Sequence, residues 1–504
     1  MPTKKPLKIL FLSAEVAPIA KVGGLGDVAG ALPKELIKLG VDLKICLPYY
    51  GFIDSKKYKI KKVQDKIKVP FNKSDETISI WKTYLPDSKV EVYLIKHKYF
   101  NAKKVYVGGR IMHGAKYSRG QIDTERFSFF TRASLQVARA IGFQPNVIHA
   151  QDWHTALAGD YLKTITNPKH KSTQEEIEIT EFFKNTKTLY TIHNLANQGI
   201  SNPKIIGISE IDPNLEIIKA DKKDGDINFM VQGILGSDLV NTVSPKYAQE
   251  ILHHYLGAGL DNILIKRKKD LYGILNGIDT DFFNPQEDKF IYKKYSAKNL
   301  ENKTENKLYL QKQLGLTVDK NIPLLGLVSR LVWQKGTELI DDKFGDLNCQ
   351  YVFLGTGQPE YENHLRAFAK KYPKNVKTLI KFDVKLAQLI YAASDMFLMP
   401  SRFEPCGLGQ MIAMRYGAVP VARSTGGIAN TVFSPRLFQL RRANGFTFEK
   451  YTSESFYRAL NRALTVYHDK PKKWKTLQLN GMKEDFSWNK SAREYIKLYE
   501  KLAK

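Results

Sequence analysis

The chain has 504 residues, room for two or three domains at roughly 100–200 residues each, and its 43% hydrophobic and 26% charged residues are those of a globular protein. No apolar run approaches the roughly 18 residues that span a membrane, and Cys46, Cys349 and Cys406 lie too far apart for a disulfide framework or zinc site, so a reducing cytoplasm is expected. The net charge of +27 comes from lysines scattered along the whole length (Lys56, Lys222, Lys266, Lys385) with no nucleic-acid motif, which reads as a lysine-rich surface.

The first element is an apolar run, residues 8–13, preceded by Lys4 and Lys5. It mimics a secretory leader. However, Lys8 interrupts it, Ser13 ends it and Glu15 follows without a good cleavage site, so it reads as a first strand. Further strand-like runs follow at 43–47, 90–95, 147–150, 188–192 and 239–243, then at 273–275, 324–328, 349–354, 396–400 and 419–422. Helical patterns alternate with them, which is the signature of βαβ units and parallel sheets. The turn Asn276-Gly277-Ile278-Asp279 and the polar stretch after it divide two doubly wound halves that meet near residues 255–275. The expected domains are 1–265 and 266–484. The tail, 485–504, carries Trp488, Ala492, Tyr495, Leu498, Tyr499 and Leu502 at helical spacing and should pack against the body.

Chemistry gathers at the ends of predicted strands, where open α/β sheets bind ligands. After the first strand comes Lys21-Val22-Gly23-Gly24-Leu25-Gly26-Asp27, and Gly24, Gly26 and Ala29 match the dinucleotide fingerprint. A dehydrogenase is disfavoured, because the glycines come about ten residues after the strand, the second strand ends in Leu47-Pro48-Tyr49 without a ribose-binding acid, and a lysine precedes them. A long glycine loop beside a lysine suits a diphosphate or sugar better. Asp152 and His193 follow two buried-type strands; with no ligand-spaced carboxylates or cysteines nearby, no metal site is expected.

In the second half, Arg330 and Lys335 lie just beyond the strand 324–328. A guanidinium fork and an ammonium match the charge that grows on a diphosphate as a glycosidic bond breaks. The most telling stretch is Ser401-Arg402-Phe403-Glu404-Pro405-Cys406-Gly407-Leu408-Gly409-Gln410, a tight loop between a strand and a helix. It offers a carboxylate for hydroxyls and backbone amides for a phosphate, a pairing that suits a sugar nucleotide.

With these residues assembled, the chain resembles the bacterial glycogen synthase and plant starch synthase family from about Lys8 to Tyr499. The resemblance rests on a series of motifs in one order. They are Lys-Val-Gly-Gly-Leu-Gly-Asp-Val at 21–28, Asp-Trp-His-Thr-Ala at 152–156, Ile-His-Asn-Leu at 192–195, Thr-Val-Ser-Pro at 242–245 and Asn-Gly-Ile-Asp at 276–279. Ser-Arg-Leu at 329–331, Gln-Lys-Gly at 334–336, Ser-Arg-Phe-Glu-Pro-Cys-Gly-Leu at 401–408 and Asp-Phe-Ser-Trp at 485–488 complete it.

The resemblance implies a GT-B fold: two Rossmann-like domains with a cleft between them and a C-terminal helix returning to the first. It implies a retaining, metal-independent transfer of glucose from ADP-glucose to the nonreducing end of an α-1,4-glucan such as glycogen. No cofactor is implied, since ADP-glucose is a substrate. Residue by residue, it places Lys21, Gly24 and Asp27 on the first-domain loop and gives Asp152 and His193 to sugar hydroxyls. Asn276 would line the sugar pocket, and Arg330 and Lys335 would neutralise the diphosphate. Glu404, with the amides of Cys406, Gly407, Leu408 and Gly409, would hold glucose and phosphate, and Phe382 stands where a base-stacking tyrosine is common.

Several positions depart from the family pattern. Gln151 replaces a common histidine or asparagine, Gly409 a threonine and Asn430 an aspartate; Val231-Gln232 stands for Leu-Lys, and the segment 335–355 is short. Gly409 and Phe382 bear on the nucleotide, so a related GT-B transferase using UDP-glucose or a small phosphorylated acceptor is the alternative. A basic nucleic-acid-binding protein that keeps the fold is the third reading, and a steep salt dependence of binding would mark it.

Overall fold

The computed structural model describes residues 6–108, 121–167, 173–435 and 440–504, so Lys4 and Lys5 lie outside the described residues. The chain divides into two units, Met1–Val243 with Ala248–Ile274 and Trp488–Lys504, and Ser244–Tyr247 with Leu275–Ser487. Each is a Rossmann-like α/β unit built on its own sheet. Among the described residues no helix is long and apolar enough to cross a membrane.

The first unit holds strands β1 (Lys8–Leu12), β2 (Asp42–Pro48), β3 (Lys61–Phe71), β4 (Ser74–Tyr84), β5 (Glu91–Lys96), β6 (Val147–Gln151) and β7 (Lys187–Ile192). A two-strand ribbon, β8 (Ile200–Ser201) with β9 (Ile227–Asn228), precedes β10 (Leu239–Thr242) and β11 (Leu271–Gly273). The nine-stranded order is β11-β10-β7-β6-β1-β2-β5-β4-β3. β1 pairs in parallel with β2 on one side and β6 on the other, so the strand order reverses there. Its residues Ile9 to Leu12 are fully buried, as expected of a central strand covered on both faces.

Two expectations need correcting. The run at 273–275 does not open the second half: β11 pairs in parallel with β10, so residues 266–274 complete the first sheet. The antiparallel hairpin β3–β4 was not anticipated, because β3 opens on exposed lysines that mask its alternation. Asn72 and Lys73 turn the hairpin with φ of 54° and 59°, the left-handed pair that a two-residue turn requires. Lysines along such an edge discourage pairing with another chain.

The tail forms the helix Trp488–Leu502 and belongs to the first unit, where it packs beside the helix Gly24–Lys38. Its apolar stripe buries Trp488, Ala492, Tyr495, Leu498, Tyr499 and Leu502. The tyrosine hydroxyls find partners, as buried ones should: Tyr499 meets His149 Nδ1 at 2.8 Å, and Tyr495 accepts from Asn241 Nδ2 at 3.2 Å. His149 bonds Thr191 Oγ1 at 2.6 Å through its other nitrogen, so this histidine is structural.

The second unit holds β12 (Leu324–Val328), β13 (Gln350–Leu354), β14 (Val376–Leu379), β15 (Met396–Met399), β16 (Val419–Arg423) and β17 (Phe446–Phe448), all parallel, in the order β14-β13-β12-β15-β16-β17. The chain steps outward from β12 to β14 and then returns to β12's other side with β15. This reversal puts the loops after β12 and β15 side by side at the carboxyl edge, where α/β sheets bind ligands. Between β12 and β13 only short 3-10 turns and the one-turn helix Asp342–Gly345 occur, which is the trimmed segment expected from the sequence.

Candidate active site

At the reversal point of the second sheet, Lys335 Nζ lies 2.6 Å from Glu404 Oε2, and Ser401 Oγ donates to the same oxygen at 3.0 Å. Only 8% of the Glu404 side chain and 18% of that of Lys335 is exposed. A largely buried carboxylate whose one oxygen meets both an ammonium and a hydroxyl is fixed in orientation. The loop is held open by backbone contacts. Gly336 adopts φ +69°, and a Cβ there would meet Pro400 O at 2.0 Å; a Cβ on Gly426 would meet Glu404 O at 1.9 Å. Glycine is therefore required where three strand-end loops converge.

The other expected residues of the second unit stand on its loops. Arg330 is exposed just beyond β12 and makes no ion pair among the described residues. Asn276 is buried, with Oδ1 unpartnered, while its N–H donates to the Cys406 sulfur. Burial pushes the Cys406 thiol up to about 12, so it is a packed neutral group and no nucleophile. Gly407 takes φ +73°, and Gly409 begins the helix Gly409–Arg415. Phe382 is 85% exposed beyond β14.

The first unit presents a different group at its own carboxyl edge. Lys21 Nζ pairs with Asp27 Oδ1 at 2.6 Å, and desolvation nevertheless lifts the Asp27 carboxyl above its ordinary value. A Cβ at Gly24 would meet nothing within 4 Å, so this glycine leaves space open. Asp152 is buried at φ +53° and ψ −176°, a region non-glycine residues avoid. Its Oδ1 accepts from the His193 N–H at 2.9 Å, and burial pushes its carboxyl up to about 7. His193 Nε2 bonds Gln151 Oε1 at 2.8 Å, and burial brings its pKa down to about 3, so the ring is neutral and Nδ1 can accept.

Two contributors escaped the sequence reading. Glu15 accepts from the N–H groups of Val22 and Gly23 at 2.6 and 2.7 Å and from Tyr106 Oη at 2.5 Å, which fixes the glycine loop. A lone carboxylate between Ala14 and Val16 in a buried run was the available signal. Gln151, noted only as a departure, is the side chain that orients His193.

A starch synthase catalytic domain model matches residues 8–266, and a group 1 glycosyl transferase model matches 306–477. The chain is 43% identical to the glycogen synthase of Thermosipho melanesiensis over 98% of its length and 99% of that protein. It is likewise 43% identical to that of Thermotoga maritima, with the same coverage. The chain belongs to the glycogen and starch synthase family. It is a glycosyltransferase of the GT-B fold. The catalytic domain of starch synthase IV from Arabidopsis thaliana, solved bound to ADP and acarbose, superposes with a TM-score of 0.84 at 35% identity over 99% of both chains.

Within this family setting, each unit brings its expected residues to one edge of its own sheet. Asn430, which departs from the family aspartate, accepts from the Lys246 N–H at 2.9 Å inside the second unit. Ser244 Oγ donates to Pro405 O at 2.5 Å, so the Thr-Val-Ser-Pro motif buttresses the Glu404 loop. Among the described residues, one group of three carboxylates lies close enough to share a cation: Asp221, Asp224 and Asp226, all apart from these loops in sequence.

Proposed function

We propose that this synthase transfers glucose from ADP-glucose to the nonreducing end of an α-1,4-glucan, with retention and with no metal in the transfer step. The observation that carries the reading is the Lys335–Glu404 pair at the reversal point of the second sheet, with Arg330, which has no ion pair among the described residues, on the same loop as Lys335. A diphosphate that takes up Lys335 and Arg330 offsets their charge and releases Glu404 for glucose hydroxyls. The starch synthase neighbour bound to ADP supports the adenine nucleotide, and exposed Phe382 offers its ring as the surface for the base. The amides of residues 406–409 and the free Oδ1 of Asn276 supply the remaining polar contacts.

In this reading Glu404 binds and does not attack. Ser401 Oγ keeps its hold on Glu404 Oε2 after Lys335 turns to the diphosphate, and a carboxylate bonded to that hydroxyl and to glucose hydroxyls is a weaker nucleophile than the free carboxylate of a retaining glycosidase. Retention then follows from attack on the face the leaving group departs. The C1–O bond to the diphosphate breaks, the acceptor hydroxyl oxygen bonds C1, and its proton passes to the diphosphate. Asp152 and neutral His193, with Lys21, Gly24 and Asp27 beside them, serve sugar hydroxyls. Incubation with glycogen and either ADP-glucose or UDP-glucose, in the presence of chelator, tests this. Release of ADP with chain lengthening is expected. Turnover confined to UDP-glucose, or none with either donor, would overturn it.

A further inference from the structure

Two loops carry the charges of the second edge, and side chains outside the expected set tie those loops together. Lys335 leads into the 3-10 turn Thr337–Leu339, which carries Glu338, and Arg402 stands two residues before Glu404. Arg402 Nη2 donates to Glu338 Oε1 at 3.1 Å. The Tyr451 hydroxyl, just beyond β17, donates to the same oxygen. Arg402 Cζ lies 4.3 Å from the centre of the Tyr451 ring and 5.6 Å from that of Trp333, both within cation–π range. A planar, delocalised guanidinium can stack and pair at once, which the compact ammonium of a lysine cannot.

Backbone groups hold the same two loops in register. Arg402 N donates to Gln334 O at 2.8 Å, and Gln334 Nε2 donates to Phe403 O at 3.2 Å. Arg423, at the end of β16, donates from Nη1 to Arg402 O and from Nε to Glu449 O at 2.8 Å. Gly336 fits closely against the tie, since a Cβ there would meet Tyr451 Oη at 3.1 Å. Segments that follow β12, β15, β16 and β17 thus converge on Arg402. Stability is a poor reason for the side-chain tie. Of the Arg402 side chain 36% is exposed, and of that of Glu338 31%, and a partly exposed ion pair adds little to folding.

We infer that Arg402 is a positioning residue for the transfer step: gripped by Glu338 and Tyr451, it sets the separation at which Lys335 and Glu404 meet the donor. The inference rests on the proposed roles of Lys335 and Glu404. Lys335 meets Glu404 at 2.6 Å, and a diphosphate that draws Lys335 away opens this direct link between the loops. The Glu338–Arg402 tie uses neither residue, so it persists when that pair opens. A misplacement of about 1 Å can cost on the order of 100-fold in rate. That cost falls on the transition state, whose growing charge needs both groups in place together. Loss of the tie therefore lowers kcat and leaves ground-state binding of the donor nearly intact.

The test follows ADP release by the full chain with glycogen and varied ADP-glucose, with melting as the control for folding. Glu338→Ala and Arg402→Ala should each lower kcat about tenfold and move KM for ADP-glucose by less than about threefold. The double variant should fall no more than about twofold below the poorer single one, because both residues act through one tie. Glu338→Gln keeps an acceptor for Arg402 and Tyr451 and should restore kcat to within about threefold of the parent. Tyr451→Phe, a mild change that keeps the ring under the guanidinium, should lower kcat about threefold with Tm nearly unchanged. A loss confined to KM, or one seen in Arg402→Ala and not in Glu338→Ala, would overturn the inference and make Arg402 a donor ligand itself. Multiplied losses in the double variant, or a lowered Tm with kcat unchanged, would overturn it as well. Lys335→Ala, run alongside, separates the two readings. A near-parental rate there sinks both, whereas a crippled Lys335→Ala beside near-parental Glu338→Ala and Arg402→Ala sinks the positioning role alone.

Discussion

The two carboxyl edges solve different electrostatic problems. That of the second unit holds an ion pair: an ammonium and a carboxylate at 2.6 Å, with partial contact with water, and on the ammonium's own loop an exposed guanidinium without an ion pair among the described residues. That of the first unit suppresses charge at its buried centre: Asp152 is pushed up to about 7 and His193 down to about 3, both by burial. The contrast teaches how one Rossmann-like frame can carry two electrostatic settings. In the proposed reading, full charges answer a diphosphate, whereas neutral donors and acceptors answer sugar hydroxyls, which offer hydrogen bonds and no net charge.

The strongest way to break this comparison is to remove charge from the second edge. Lys335→Ala should lower kcat/KM by roughly 100- to 1,000-fold, the usual scale for losing one group that stabilises developing charge. Steady-state rates with ADP-glucose check it, with melting as the control for folding; a loss under fivefold would misplace the donor site.

Next comes the suppressed charge of the first edge. Asp152→Asn keeps an acceptor for the His193 N–H but cannot ionise, so it should remove any limb near pH 7 from the kcat/KM profile and lower the rate roughly tenfold. The sign for stability follows from linkage. A folded pKa above the unfolded one gives stabilisation that is complete below about pH 4 and lost as pH rises through 7. The variant should therefore gain Tm relative to the parent at pH 8 and not at pH 4. A profile identical to the parent's would sink the assignment.

Smaller effects sharpen the picture. Phe382→Ala should raise KM for ADP-glucose about tenfold, on the scale of one lost stacking contact, with Tm unchanged because the ring is 85% exposed. An unaltered KM would free Phe382 of any donor role. Tyr499→Phe, far from either edge in chemistry, should cost about 1 kcal/mol by denaturant titration, from the lost bond to His149, and leave kcat as it was.

Much of the second edge was legible because its chemistry is carried by strand-end motifs: Arg330 and Lys335 stand just past an apolar run, and Glu404 past another. Their meeting was not legible, since the two side chains are separated by 69 positions and only the reversal of strand order joins them. The first edge was harder. Glu15 looked like a reason to reject a leader, and its clamp on Val22 and Gly23 depends on a buried loop closing over it. β11 was misassigned because three residues of strand pattern do not say which sheet they join.

Sequence alone determined the alternation of strands and helices, the family, and which residue types stand at the strand ends. Apolar periodicity and glycine or proline punctuation act locally and survive in a one-dimensional reading. Tertiary structure alone decided which loops become neighbours, how Asp152 is held at a strained φ, and which acids and bases carry charge at neutral pH. Those properties depend on desolvation and on partners brought from distant positions, and neither exists until the sheets have formed.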